Sequence, residues 1–85
     1  MEEKIRVAIA DDHGLMRHGI VMLLEDDQNI EVVASVSSGE DAINVANTRT
    51  PDVFLLDIVM KGMSGIETTR WIKDQSPEIK IILLS

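Results

Sequence analysis

Four short, mainly apolar stretches alternate along the chain with three longer stretches in which apolar residues recur at helical spacing. The short runs predict strands over residues 5–10, 30–36, 53–57 and 79–84, each bounded by polar or turn-forming residues. Between the first two, residues 13–26 carry Leu15, Met16, Ile20, Met22, Leu23 and Leu24 at positions that predict a helix, ended by Asp26, Asp27, Gln28 and Asn29. Ser38 opens a second helix that runs to about Asn47, and Ser64 opens a third that runs to about Gln75; Asp41 and Glu67, three residues on, give both the spacing of a capping box. Pro51 and Pro77 follow the ends of those two helices. No linker, repeat or low-complexity segment interrupts the alternation, so the chain reads as one domain.

A βαβαβαβ alternation predicts a parallel sheet with right-handed crossovers. Strand order is decided by the acids. The first strand runs into Asp11 and Asp12 and the third ends on Asp57, and the carboxyl rim of a buried parallel sheet is where such folds hold ligands. In order 1-2-3-4 the first and third strands would lie roughly 10 Å apart. Order 2-1-3-4 makes them neighbours and puts the topological switch point between them. The expected fold is therefore flavodoxin-like, with three helices around four strands, and three carboxylates gathered at one rim call for a cation.

Composition narrows the chemistry. The absence of cysteine removes disulfides, thiolate metal sites and cysteine nucleophiles. An acidic start, and no apolar run long enough for a signal peptide or a span, makes the cytoplasm the expected compartment, with no membrane contact. A formal net charge of −7, with the eight Lys and Arg scattered, argues against direct nucleic-acid binding by this chain.

With those residues in place, the chain resembles the receiver domain of bacterial two-component response regulators. The resemblance rests on Asp11-Asp12, on Asp57, on the loop Met60-Lys61-Gly62-Met63-Ser64-Gly65 and on Ser85, and it runs from Ile5 to Ser85. The segments Ala10-Asp11-Asp12-His13 and Ser64-Gly65-Ile66-Glu67 are similar to the branch whose full-length members carry a helix-turn-helix DNA-binding domain. The resemblance implies that Asp57 accepts a phosphoryl group from a phosphohistidine on a sensor histidine kinase. It implies that Asp12 binds Mg²⁺ directly and Asp11 through water, with the Asp57 carboxylate and the Val59 carbonyl completing the protein's share. Ser85 would be the switch hydroxyl that turns toward the phosphoryl oxygens. The chemistry agrees, because a carboxylate nucleophile approaching an anion among other acids needs a cation to cancel the repulsion.

Relative to the family pattern, the chain reads as truncated after the fourth strand. On that reading the fifth strand with its Lys, the last two helices and an output domain would be missing. Lys61 stands where the family often has Pro, which loosens the loop or brings a cation near the phosphoryl group. Two alternatives follow. One is a fold-only interaction or dimerisation module that is not phosphorylated. The other is a Mg²⁺-dependent aspartyl-phosphate phosphohydrolase, which would want a second acid two residues after the nucleophile, where Val59 stands.

Packing leads to one more expectation. Right-handed crossovers leave the first helix alone on one face of four strands, so one side of strands three and four lies open, drawn from Val53, Leu55, Ile79, Ile81 and Leu83 or their alternates. Strand four is an edge, and the first helix's apolar arc is wider than one sheet contact needs. Self-association, as a swapped or edge-paired dimer, is expected, or else the chain is a fragment. The plainer readings are Asp12 as a helix cap, His13 and His18 as solvated surface, Met16, Met22, Met60 and Met63 as packing residues, and Trp71 as a partner contact or partly buried.

Overall fold

The computed structural model describes residues 3–85. Strands β1 (Ile5–Ala10), β2 (Ile30–Val36), β3 (Val53–Asp57) and β4 (Lys80–Leu84) alternate with helices α1 (Gly14–Glu25), α2 (Gly39–Arg49) and α3 (Gly65–Gln75). All neighbouring strands are parallel and lie in the order β2-β1-β3-β4. This is the flavodoxin-like arrangement that the placement of the acids requires, with β1 and β3 in direct contact and Ala10 in register with Leu56.

The sheet separates two unequal faces. Ala8, Ala10, Phe54, Leu56 and Ile79 pack with Ala42, Val45 and Ala46 of α2 and Ile72 of α3 into one continuous core. At roughly 25 cal/mol per Å², burying Phe54 and Leu56, both fully enclosed, is where much of the fold's stability arises. Val7 and Ile9 point the other way, buried beneath α1, which lies over β1 and β2.

Helix α1 meets the sheet through Arg17, Ile20, Val21 and Leu24, all half-buried, and buries no residue fully. Its remaining apolar residues form a second stripe that faces outward, with Leu15 89% and Leu23 77% exposed. Met16 and Met22 belong to this stripe, and this corrects their reading as packing residues. Met60 is buried and Met63 half-buried, in line with that reading. On β3 and β4 the register pairs Leu55 with Ile82 and Phe54 with Ile81. The face not covered by a helix therefore carries Val53, Leu55, Ile82 and Leu84, whereas Ile79 and Ile81 belong to the core side. The expected open face exists, on the alternate residues of β4.

Local signals explain where the helices begin. Ser64 caps α3 by accepting from the Glu67 amide at 3.2 Å, and the Glu67 carboxylate accepts from the Ser64 amide at 3.3 Å, closing a full capping box. At α2 only half of the pattern forms, because Ser38 accepts from the Asp41 amide but the shorter Asp side chain makes no return bond. Helix α1 starts one residue later than its periodicity predicts, with His13 at the cap position and no side-chain cap. Gly65 is required by close approach. A Cβ there would come within 2.8 Å of Ile58 Cα, and the Gly65 amide donates to the Ile58 carbonyl at 2.8 Å.

Candidate functional site

Parallel pairing of β1 with β3 brings Asp11, Asp12 and Asp57 to one point on the sheet's carboxyl rim. A carboxylate oxygen from each and a ring nitrogen of His13 all lie within 4.8 Å of one another. The Asp11 side chain is 1% exposed, Asp12 19% and Asp57 13%, so three acids share a recess that water only partly solvates.

Each carboxylate has one oxygen held by a backbone amide. Asp11 Oδ1 accepts from the His13 N–H at 2.8 Å, Asp12 Oδ2 from the Lys61 N–H at 2.9 Å, and Asp57 Oδ1 from the Val59 N–H at 3.3 Å. Asp11 Oδ2 and Asp12 Oδ1 are buried and have no hydrogen-bond partner among the described residues. Unpartnered buried carboxylate oxygen is costly unless a cation or donor faces it. Hard oxygen donors of this kind suit Mg²⁺, which takes one or two carboxylates and keeps several waters, so the residues present fit that ion.

The positive side is supplied by three elements. Arg17 Nη1 donates to the Asp11 carbonyl from α1. Lys61 enters through its main chain, fixing Asp12, while its side chain is exposed. His13 Nδ1 lies 3.0 Å from Asp11 Oδ1, 3.2 Å from Asp12 Oδ1 and 3.4 Å from Asp57 Oδ2. The hydrogen bond to Asp11, and then the charge of Asp12, raise the His13 pKa above 6.5.

Of the residues singled out from sequence, the three acids converge and Val59 borders them through its amide. Asp12 is not the cap of α1, a position taken by His13. Ser85 is exposed and lies one residue beyond Leu84, the register partner of Asp57. His13 was expected to be solvated surface; its ring is largely exposed, yet Nδ1 faces the acids. The signal was its place directly after Asp11-Asp12 at a helix start. His18 is exposed, as expected.

The comparisons with known proteins agree with this geometry. The whole chain aligns at 46% identity with 41% of the nitrate/nitrite response regulator protein homolog of Haemophilus influenzae. Over 84 residues it is 39% identical to the transcriptional regulatory protein DegU of Brevibacillus brevis, covering 99% of this chain and 36% of that protein. The chain therefore spans well under half the length of these curated relatives. Among solved structures, the response regulator domain of Thermotoga maritima CheB superposes with a TM-score of 0.91 at 30% identity, over 95% of this chain and 60% of that one. Residues 7–85 match the family described as the response regulator receiver domain, and the chain belongs to that family of two-component signalling domains, which are not enzymes.

Proposed function

We propose that this chain receives a phosphoryl group on Asp57 from a sensor histidine kinase in the cytoplasm and passes the signal to transcription through a DNA-binding domain outside this segment. The observation that carries the reading is the convergence of Asp11, Asp12 and Asp57, each with one oxygen tethered by an amide and an oxygen of each within 4.8 Å of the others. The acidic balance, with net charge −7, leaves DNA contact to that other domain.

Asp11, Asp12, Asp57 and the Val59 carbonyl would hold Mg²⁺. When bound, the ion neutralises charge on the incoming phosphoryl group and on the acids beside it. The protein's own residues do the rest. The Val59 amide fixes Asp57 Oδ1, so Oδ2 is the oxygen presented for attack. That oxygen forms a bond to phosphorus as the bond from phosphorus to the kinase histidine nitrogen breaks, and the histidine leaves with the electron pair. Ser85, one residue beyond β4, would donate its hydroxyl to the new phosphoryl oxygens, converting added charge into movement of the chain.

Incubation with Mg²⁺ and an acyl-phosphate donor or beryllofluoride tests the reading, with Asp57→Asn as control. A metal-dependent mass gain or rise in Tm that the control loses supports it. A folded protein that shows neither overturns it.

A second reading, a module that self-associates, is favoured by the outward apolar stripe of α1 and by β4, an edge strand with Ile82 52% exposed. Sedimentation at rising concentration decides it. A dimer weakened by Leu23→Ser is the expected result, and a monomer throughout rejects it.

A further inference from the structure

We propose that His13 is a metal-selecting residue, a fourth protein donor that turns the three-carboxylate site from a preference for Mg²⁺ toward late first-row divalent ions. The inference rests on the metal reading of the acidic cluster and goes beyond it.

Two independent observations carry it. The first is spacing. Donors at adjacent positions around one cation, each about 2.1 Å away, lie about 3.0 Å apart in octahedral and about 3.4 Å apart in tetrahedral coordination. His13 Nδ1 stands 3.0, 3.2 and 3.4 Å from oxygens of Asp11, Asp12 and Asp57, the first a hydrogen-bond contact and all three within the separations of donors that share an ion. The second is the recess itself. Asp11 is 1% exposed and its Oδ2 is buried without a hydrogen-bond partner, while its Oδ1 is the oxygen that lies against the imidazole.

The main chain holds this arrangement. The His13 amide is tied to Asp11 Oδ1 at 2.8 Å and its carbonyl accepts from the Arg17 amide at 2.9 Å, so the residue is anchored on both sides. The ring is 66% exposed and can therefore adjust without disturbing the core. Oxygen-only sites suit Mg²⁺, whereas an added imidazole favours cobalt, nickel and zinc.

The test measures binding of Co²⁺ and of Mg²⁺ to the full chain by calorimetry, in wild type, His13→Ala, His13→Asn and His18→Ala. His13→Asn keeps a good residue at the helix cap and guards against a folding defect. The expected result is that both His13 variants lower the preference for Co²⁺ over Mg²⁺ by about tenfold or more, with Mg²⁺ affinity little changed, while His18→Ala matches wild type. The Co²⁺-loaded protein should show hyperfine-shifted imidazole ring protons by NMR, lost in the His13 variants and kept in His18→Ala.

An unchanged preference, or shifted imidazole protons that survive His13→Ala, overturns the proposal. Equal strengthening of both ions in the variants also overturns it, since His13 would then act only as a competing cation. Failure of wild type to bind either ion removes the metal reading as well, and that outcome is distinct from the others.

Discussion

Helices α1 and α3 have nearly the same length, 12 and 11 residues, and both begin at the carboxyl rim of the sheet, yet they begin in opposite ways. Helix α3 starts with a closed capping box, sets Gly65 against the backbone of Asp57 and Ile58, and buries Thr68 and Ile72. Helix α1 starts with His13, whose side chain caps nothing on its own helix and leans toward three carboxylates, and it buries nothing fully. One helix start consolidates the fold, and the other serves the electrostatics of the rim. The molecule thus places a fully capped helix start next to Asp57 and a largely exposed imidazole against its carboxylate.

That contrast can be broken most forcefully in the core. Ile72→Ala removes a side chain that is 1% exposed between α3 and the sheet, and is expected to cost about 2–5 kcal/mol. Leu23→Ala on α1, where the side chain is 77% exposed, should change stability by no more than about 0.5 kcal/mol. Urea unfolding of the two variants measures both. Similar losses would mean that α1 contributes as much packing as α3, and the contrast would not stand.

A smaller effect tests the link between α3 and the site. Gly65→Ala forces a methyl group toward the Asp57 carbonyl and within 2.8 Å of Ile58 Cα, and the overpacking is expected to cost about 1–3 kcal/mol. Because the backbone that must yield carries Asp57, the same variant should also weaken the Mg²⁺-dependent rise in Tm. A loss of stability with an intact metal response would show that α3 and the site are separable.

Ser64→Ala is expected to cost about 1 kcal/mol, since it opens the capping box and leaves the Glu67 amide without its partner. Thermal unfolding provides the measurement. A change near zero would mean that neighbouring contacts, such as the Thr68 hydroxyl on the Ser64 carbonyl at 2.8 Å, already hold the helix start.

Much of this contrast was legible in the sequence, and the illegible part has a physical cause. Alternating strand and helix periods, together with acids at two strand ends, led to the strand order and to the convergence of Asp11, Asp12 and Asp57. Ser64 with Glu67 announced the capping box because both bonds lie within four residues. What the sequence hid depends on distant partners. Lys61 drew notice for its side chain, yet it acts through an amide that fixes Asp12, 49 residues away, and no local pattern encodes such a bond. The apolar positions of α1 read as one wide face, and only the sheet separates the half-buried Ile20, Val21 and Leu24 from the outward Leu15 and Leu23. His13 read as surface because its spacing from His18 forbids a pair on one helix face. Its partners were instead the two acids before it in sequence and the one brought by β3.

The subtlest expected effect tests what the start of α1 contributes. The hydrogen bond to Asp11 and then the charge of Asp12 raise the pKa of His13 in the folded protein; burial opposes them, and the charges of Asp11 and Asp57 add smaller upward contributions. A raised folded-state pKa means that protonated His13 stabilises the fold, fully below about pH 6.5, the value of an unfolded histidine, and progressively less as pH rises through the folded value. In chelator, the Tm should therefore decline across that window, by a small amount because the ring is mostly solvated, and by less in high salt. His13→Asn should flatten the decline, with His18→Asn as control. The Ser64 hydroxyl carries no charge in this range, so Ser64→Ala should lower the whole curve without changing its slope. A Tm profile with the same slope in His13→Asn as in wild type would show that the acids do not draw on His13, and the start of α1 would then have no electrostatic role to set against the capping box of α3.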